Sequence, residues 1–182
     1  MGEEIIPVYG EGFFHVTWGT IYYTIVFDYV EETGGFWRRM RDPRERRREE
    51  EAAARNMQSL MDEERVIVNG LETRTIVDYA RLEFRGDRYR HSIVFHCRIP
   101  YKPIDGVNVY ENYYEADRAP YDYTVYWVAP PGGRIVSVEG AGRVEYRAGG
   151  RIAVISVRRG DRVPGYESVE FQVRKPSVES LF

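Results

Sequence analysis

Between Arg38 and Arg48 the sequence "RRMRDPRERRR" holds seven arginines, Arg38, Arg39, Arg41, Arg44, Arg46, Arg47 and Arg48, against only Asp42 and Glu45. A guanidinium is planar, permanently charged and bidentate toward phosphate, so this density is the chemistry of a polyanion contact. A helix N-terminus at the same place would add to it. Trp37 stands beside the cluster with Phe36 and Met40, side chains suited to a stacked base or an anionic membrane surface. A solvated helix explains the same residues differently. Arg46 reaches Glu50, Arg47 reaches Glu51 and Glu51 reaches Arg55, each an i,i+4 pair worth a few tenths of a kcal/mol, roughly. Cations at a helix N-terminus oppose its dipole by about 0.3–1 kcal/mol each, so the charge order asks for an acidic partner.

A second group lies in "IDGVNVYENYYEADRAPYDY". Asp105, Asn108, Glu111, Asn112, Glu115, Asp117 and Asp122 are oxygen ligands close in sequence, and Asp105, Glu111, Glu115 and Asp117 among them form a candidate Ca²⁺ set, although the spacing matches no EF-hand loop. No metal or cofactor is expected. Tyr110, Tyr113, Tyr114 and Tyr121 are candidate contact residues, because tyrosine gives large contact area at low entropic cost. The plainer expectation is a long loop anchored by half-buried tyrosines.

Nucleophilic chemistry is poorly supplied. His96 and Cys97 are neighbours on a predicted strand and so face opposite ways. His91 and Cys97 share a face but stand about 20 Å apart on an extended chain. Three scattered histidines and one cysteine give no zinc spacing and no disulfide. "PPGGR", "GAG" and "AGG" lack the lysine-serine pair of a phosphate loop and read as turns. "RGDR" occurs twice, at 85–88 and 159–162, each time between strand-like runs where Gly-Asp is turn chemistry. No catalytic residue is assigned.

The segment "YARLEFRGDRYRHSIVFHCRIPYK" superficially resembles the arginine-studded hairpins of triphosphate tunnel enzymes, which are phosphate-handling β-barrels. That family opens on a Glu-x-Glu-x-Lys strand; here the chain opens on "EEIIPVYG", and only Lys102 and Lys175 are lysines. No residue role is carried over, and such an enzyme stays a remote alternative.

Positioning these residues falls to a mainly β chain. "TIYYTIVFDYV" is apolar on both faces, as a strand buried on both sides would be. "TIVDYARLEFR" and "YRHSIVFHCRI" alternate around Gly86-Asp87 and predict a hairpin. Further strands are predicted near 106–114, 121–129 and 133–138, with a hairpin turned at Gly149-Gly150 and a last strand in "ESVEFQVR". Asp42 as N-cap, Pro43 at the first turn and Glu45 beyond it predict one amphipathic helix at about 43–63, with Ala53, Ala54, Met57, Leu60 and Met61 on its apolar face. Its first two turns hold no apolar residue and are expected to project or to lie on a polar surface. The fold class is an antiparallel β-sandwich, or an irregular β-barrel, with that helix inserted. Residues 1–175 form one domain, and 176–182 a tail whose Phe182 is another contact candidate.

A net charge of −3 over 182 residues argues against a molecule that binds polyanions with its whole surface, but the arginine segment alone is +5, leaving −8 elsewhere. Arginine makes 24 of the 26 basic residues, a usage that suits a hot-adapted source or a GC-rich genome. No run reaches the roughly 20 apolar residues of a membrane span. The chain as given therefore reads as cytoplasmic, or as extracellular or cell-surface if its start was trimmed. The functional expectation is a non-enzymatic interaction or structural module acting through protein–protein contacts, self-association included. The alternative is binding of nucleic acid or anionic lipid through the arginines.

Overall fold

The computed structural model describes residues 5–176. It is a β-sandwich with an inserted helix, 54% strand and 17% helix. The strands are β1 (Ile6–Val16), β2 (Thr20–Val30), β3 (Arg65–Val68), β4 (Leu71–Thr73), β5 (Ile76–Phe84), β6 (Arg90–Pro100), β7 (Gly106–Tyr113), β8 (Asp117–Arg118), β9 (Asp122–Val128), β10 (Arg134–Glu139), β11 (Arg143–Arg147), β12 (Ile152–Val157), β13 (Arg162–Val163) and β14 (Tyr166–Val173). The α-helices are α1 (Gly35–Arg39) and α2 (Pro43–Met61), and a 3-10 turn spans Ala148–Gly150. One sheet runs β11-β12-β9-β1-β2-β6-β5 and the other β10-β14-β7-β3-β4, with β13 and β8 as a separate ribbon. Pairing is antiparallel except between β1 and β9, which run parallel, so the larger sheet is mixed.

Both predicted hairpins form. Leu82 sits opposite Ile93 in β5–β6, and Glu145 opposite Val154 in β11–β12. In both "RGDR" copies the aspartate closes the turn: Asp87 accepts from the Tyr89 amide and Asp161 from the Arg158 amide. The β3–β4 hairpin adds to the predicted strands. It turns on Asn69 and Gly70, both at positive φ (53° and 74°), as a tight two-residue turn requires.

The inner face of the larger sheet follows the period of two along each strand. Ile21, Tyr23, Ile25 and Phe27 of β2 lie beside Phe95, Cys97 and Ile99 of β6 and beside Phe14 and Val16 of β1. Trp127 of β9 stacks on Phe14 at 4.4 Å and packs against Phe171 of the second sheet. Cys97 is buried here, and burial pushes its thiol up to about 12, so it is a core residue.

Helix α2 covers what the smaller sheet leaves bare. Asp42 caps it, accepting from the Arg44 amide at 2.8 Å, and it ends two residues earlier than predicted. Met57 is buried, with Ala53, Ala54 and Met61 packed against the core, whereas Leu60 falls on the flank and is 56% exposed. The first turns do not project. Glu50 accepts the Leu82 amide, Arg46 donates to the Leu82 carbonyl, and further along Gln58 accepts from the Val77 amide and donates to the Thr75 carbonyl. The helix thus runs along β5 and fills its open hydrogen-bonding edge with side chains. A second apolar cluster of Phe36, Met40 and Leu82 holds α1 to the same sheet.

Candidate functional site

At one end of the sandwich the two inner faces separate. On β1 the inward positions are Gly10 and Gly12, paired with Phe27 and Ile25 of β2 and with Tyr123 and Val125 of β9. Without side chains at those two points, a gap opens above the sheet. Opposite, the inward row of β14 and β7 changes from apolar to polar: Val169 pairs with Tyr110, and the next inward pair is Glu167 with Asn112. Glu64, just before β3, reaches the same row. The result is a pocket of about 270 Å³. Its aromatic walls include Tyr23, Tyr110, Tyr114, Tyr121, Tyr123 and Phe27, with Met61 of α2 at the side.

The polar side of this pocket centres on Asn112, Glu64 and Glu167. Asn112 is 6% exposed, and its amide nitrogen donates to Glu64 at 2.8 Å. A carboxylate only accepts, so that bond fixes which way the amide faces. Asn112 Oδ1 is then left buried without a partner among the described residues. Tyr110 donates to Glu167 at 3.4 Å, a long contact. Burial raises the Glu167 carboxyl to about 7, the nearby Glu64 charge adding to the effect; burial likewise raises Glu64. Burial also pushes the Tyr110 phenol well above its usual range and Tyr123 up to about 12. Among the described residues no Arg, Lys or His lines the pocket. Chemically the site offers carboxyl groups, one of them near half-protonation at neutral pH, and aromatic faces.

The predicted contact tyrosines divide by strand parity. Tyr110 and Tyr114 line the pocket, and so does Tyr121, edge-on to Phe27 at 6.2 Å. Tyr113 falls on the other face of β7, where it and Tyr166 both donate to Glu111 at 3.2 Å. The calcium set is not brought together: no group of three or more potential ligands converges among the described residues. Asp105 accepts from the Lys175 amide, Asp117 from the Arg118 amide, Glu111 belongs to the tyrosine pair and Glu115 is exposed. They spread over the bend before β7, β7 itself, the link after it and β8.

The arginines do not form one helix face. Arg38 and Arg39 lie on α1, Arg41 in the link with its guanidinium 5.2 Å from the half-buried Trp37 ring, and the other four on α2. Arg46 is committed to Glu50 and Leu82, and Arg48 to Glu45 at 2.7 Å. Arg38, Arg41, Arg44 and Arg47 are exposed. Phe182 and the rest of 177–182 lie outside the described residues. No described helix is long and apolar enough to cross a membrane.

Glu64 and Glu167 escaped sequence reasoning, and Asn112 entered it only as one oxygen ligand of the acidic run. A legible signal existed: positions 110, 112 and 114 share one strand face, so Asn112 must stand between two of the tyrosines.

No family model and no curated protein matches the chain. Among solved structures it is similar to native yeast LTA4 hydrolase, at 8% identity and a TM-score of 0.38 over 95% of this chain. The same yeast enzyme in complex with bestatin gives 7% and 0.38, and an aminopeptidase N family protein from Idiomarina loihiensis 8% and 0.37. The chain spans less than a third of each of those proteins, at 30%, 28% and 29% of their lengths. At such scores the likeness carries no statement about activity.

Proposed function

We propose that the chain is a non-catalytic β-sandwich binding module whose site is the pocket between the sheets. The observation that supports this is the unpartnered Asn112 Oδ1 beside Glu64 and Glu167 in a cavity walled by aromatic rings. A buried acceptor without a donor costs about 1–3 kcal/mol, so the pocket is built for an occupant that brings hydrogen-bond donors. Its volume of about 270 Å³ is at the low end for ligand sites, which suits a small group rather than a drug-sized molecule. A thermal-shift screen of small polar molecules tests the proposal. Members that stabilise the wild type are expected to lose that effect in Gly12→Leu, whose side chain grows into the cavity. A screen in which nothing stabilises the wild type, or in which a bound molecule is turned over, overturns it.

A second reading, contact through the arginine face, is favoured by the exposure of Arg38, Arg41, Arg44 and Arg47 on one stretch of an otherwise acidic chain. The partner there is an acidic surface: a second copy of this chain, nucleic acid or anionic lipid. Light scattering at two salt concentrations, with and without DNA or anionic vesicles, separates these. Polyanion binding falls steeply with salt, and self-association shows in the protein alone.

A further inference from the structure

With their carboxyl groups ionised, Glu64 and Glu167 offer the pocket only acceptors, and Asn112 adds its Oδ1, its amide nitrogen being already given to Glu64. Elsewhere this protein pairs its carboxylates with arginine: Asp62 with Arg74 at 2.7 Å, Asp78 with Arg98 at 3.0 Å, Glu72 with Arg65 at 2.9 Å. Among the described residues neither Glu64 nor Glu167 has an ion pair, although the chain holds 24 arginines. A carboxyl pair that meets no cation among the described residues, against aromatic faces that favour positive charge, is complementary to a cation once ionised.

We propose that the pocket binds a small organic amine as its ammonium ion, with Glu167 and Glu64 as counter-charge, Asn112 Oδ1 as a hydrogen-bond acceptor and the tyrosine rings as walls. This rests on the pocket being a binding site, as proposed above, and adds the class of ligand. Gly10 and Gly12 are part of the selectivity. A Cβ at Gly10 would stand 3.2 Å from the Tyr121 ring and 3.3 Å from Tyr123 Cβ, so the strand must stay bare for the rings to close around the cavity. At Gly12 a Cβ meets Phe14 at 3.4 Å and Val125 at 3.6 Å, ordinary contacts, and larger side chains extend into the space a ligand needs.

The ligand's affinity is tied to pH through Glu167. Facing it are Glu64 from the α2–β3 turn, Tyr110 from β7, Tyr114 beyond it and Tyr123 from β9, with Glu11 of β1 also lining the pocket. The phenols of Tyr110, Tyr114 and Tyr123 stay neutral, because burial raises each above its usual range. The charge in the site therefore changes through the carboxyl groups. An alkylamine keeps its proton from pH 5.5 to 8, so any change in its affinity over that span reports the protein.

Isothermal titration of the full chain with n-butylamine and with n-butanol, at pH 5.5 and pH 8, tests the inference. The amine is expected to bind at pH 8 at least about tenfold more tightly than the alcohol, and to weaken by about tenfold at pH 5.5, as charge-assisted bonds do when the charge is lost. Glu167→Gln is expected to remove most of both differences. Gly12→Leu, or Val125→Phe should Gly12→Leu not fold, is expected to abolish amine binding. Equal binding of amine and alcohol, both lost on filling the pocket, overturns the ligand class and leaves the binding site standing. Amine binding that survives both filling variants overturns the inference by placing the ligand elsewhere. No binding of either molecule overturns it too, and the screen above then decides whether the pocket takes any other ligand.

Discussion

The Leu82 amide donates to Glu50 Oε1 at 2.9 Å, a bond from an edge strand to a helix side chain. Arg46 completes it, pairing with Glu50 at 3.2 Å and donating to the Leu82 carbonyl. Both outward backbone groups of Leu82 are met without a neighbouring strand. Glu50→Ala is expected to cost about 1–3 kcal/mol in chemical denaturation, since it strands a part-buried amide and frees Arg46 from its partner. Glu49→Ala, one position away on the helix, is expected to stay within about 0.5 kcal/mol. Equal effects would remove the edge-sealing role.

The same bond separates the arginines. Arg46→Gln is expected to cost about 1 kcal/mol or more, because it removes a charged donor to Leu82. Arg44→Gln and Arg47→Gln are expected to leave stability unchanged or to raise it by up to about 0.5 kcal/mol, since both are exposed cations in the first turns of α2 and oppose its dipole. Urea melts of the three single variants at low salt give the ranking; a loss at Arg47 matching that at Arg46 would count against it.

Two buried asparagines on β7 should differ in what they contribute. Asn108 is fully buried and satisfied: its Oδ1 accepts from Asn69 at 2.8 Å and from the Ile104 amide at 3.0 Å, and its nitrogen donates to the Ile104 and Gly106 carbonyls. Asn108→Ala is expected to cost about 2–4 kcal/mol, leaving several groups without partners. Asn112 already carries an unmet acceptor. Asn112→Ala is expected to cost less than half as much, while weakening whatever the pocket binds. Paired denaturation curves settle the order.

What could be read from the sequence follows from how local each signal is. The β5–β6 and β11–β12 hairpins join neighbouring runs across a glycine turn, and Asp42-Pro43 marks a helix start within two residues, so both were legible. The role of the helix was not, because Glu50 meets its strand partner 32 residues on. The pocket is more scattered still. Glu64 and Asn112 are 48 residues apart, and Tyr110 and Glu167 are 57. Gly10 and Gly12 matter only through side chains they lack, and the parallel β1–β9 pair that sets Gly12 beside Val125 has no turn to announce it. Parity along β7, which turns Tyr110 into the pocket and Tyr113 toward Glu111, is a signal the sequence does carry.

Glu167 should make stability depend on pH in a direction opposite to that of an ordinary ion-paired acid. Its ordinary value is 4.5, and burial beside Glu64 raises it to about 7 in the folded protein. Between those values the folded state holds a proton that the unfolded state has released, so stability falls as pH rises across the window. Below about 4.5 both states are protonated and no penalty applies. Above about 7 both are ionised and the penalty is complete, with a ceiling of about 3 kcal/mol that the partly open pocket lowers. His91 works in the other direction: burial lowers its value, so the folded state resists protonation and stability is lost as pH falls through the ordinary histidine range. The diagnostic is therefore the difference between the wild type and Glu167→Gln, measured as thermal midpoints from pH 5 to pH 8. The variant is expected to match the wild type near pH 5 and to exceed it by several degrees at pH 8. A constant difference across the range would mean that Glu167 does not titrate there, and the pocket's charge would then be fixed rather than set by pH.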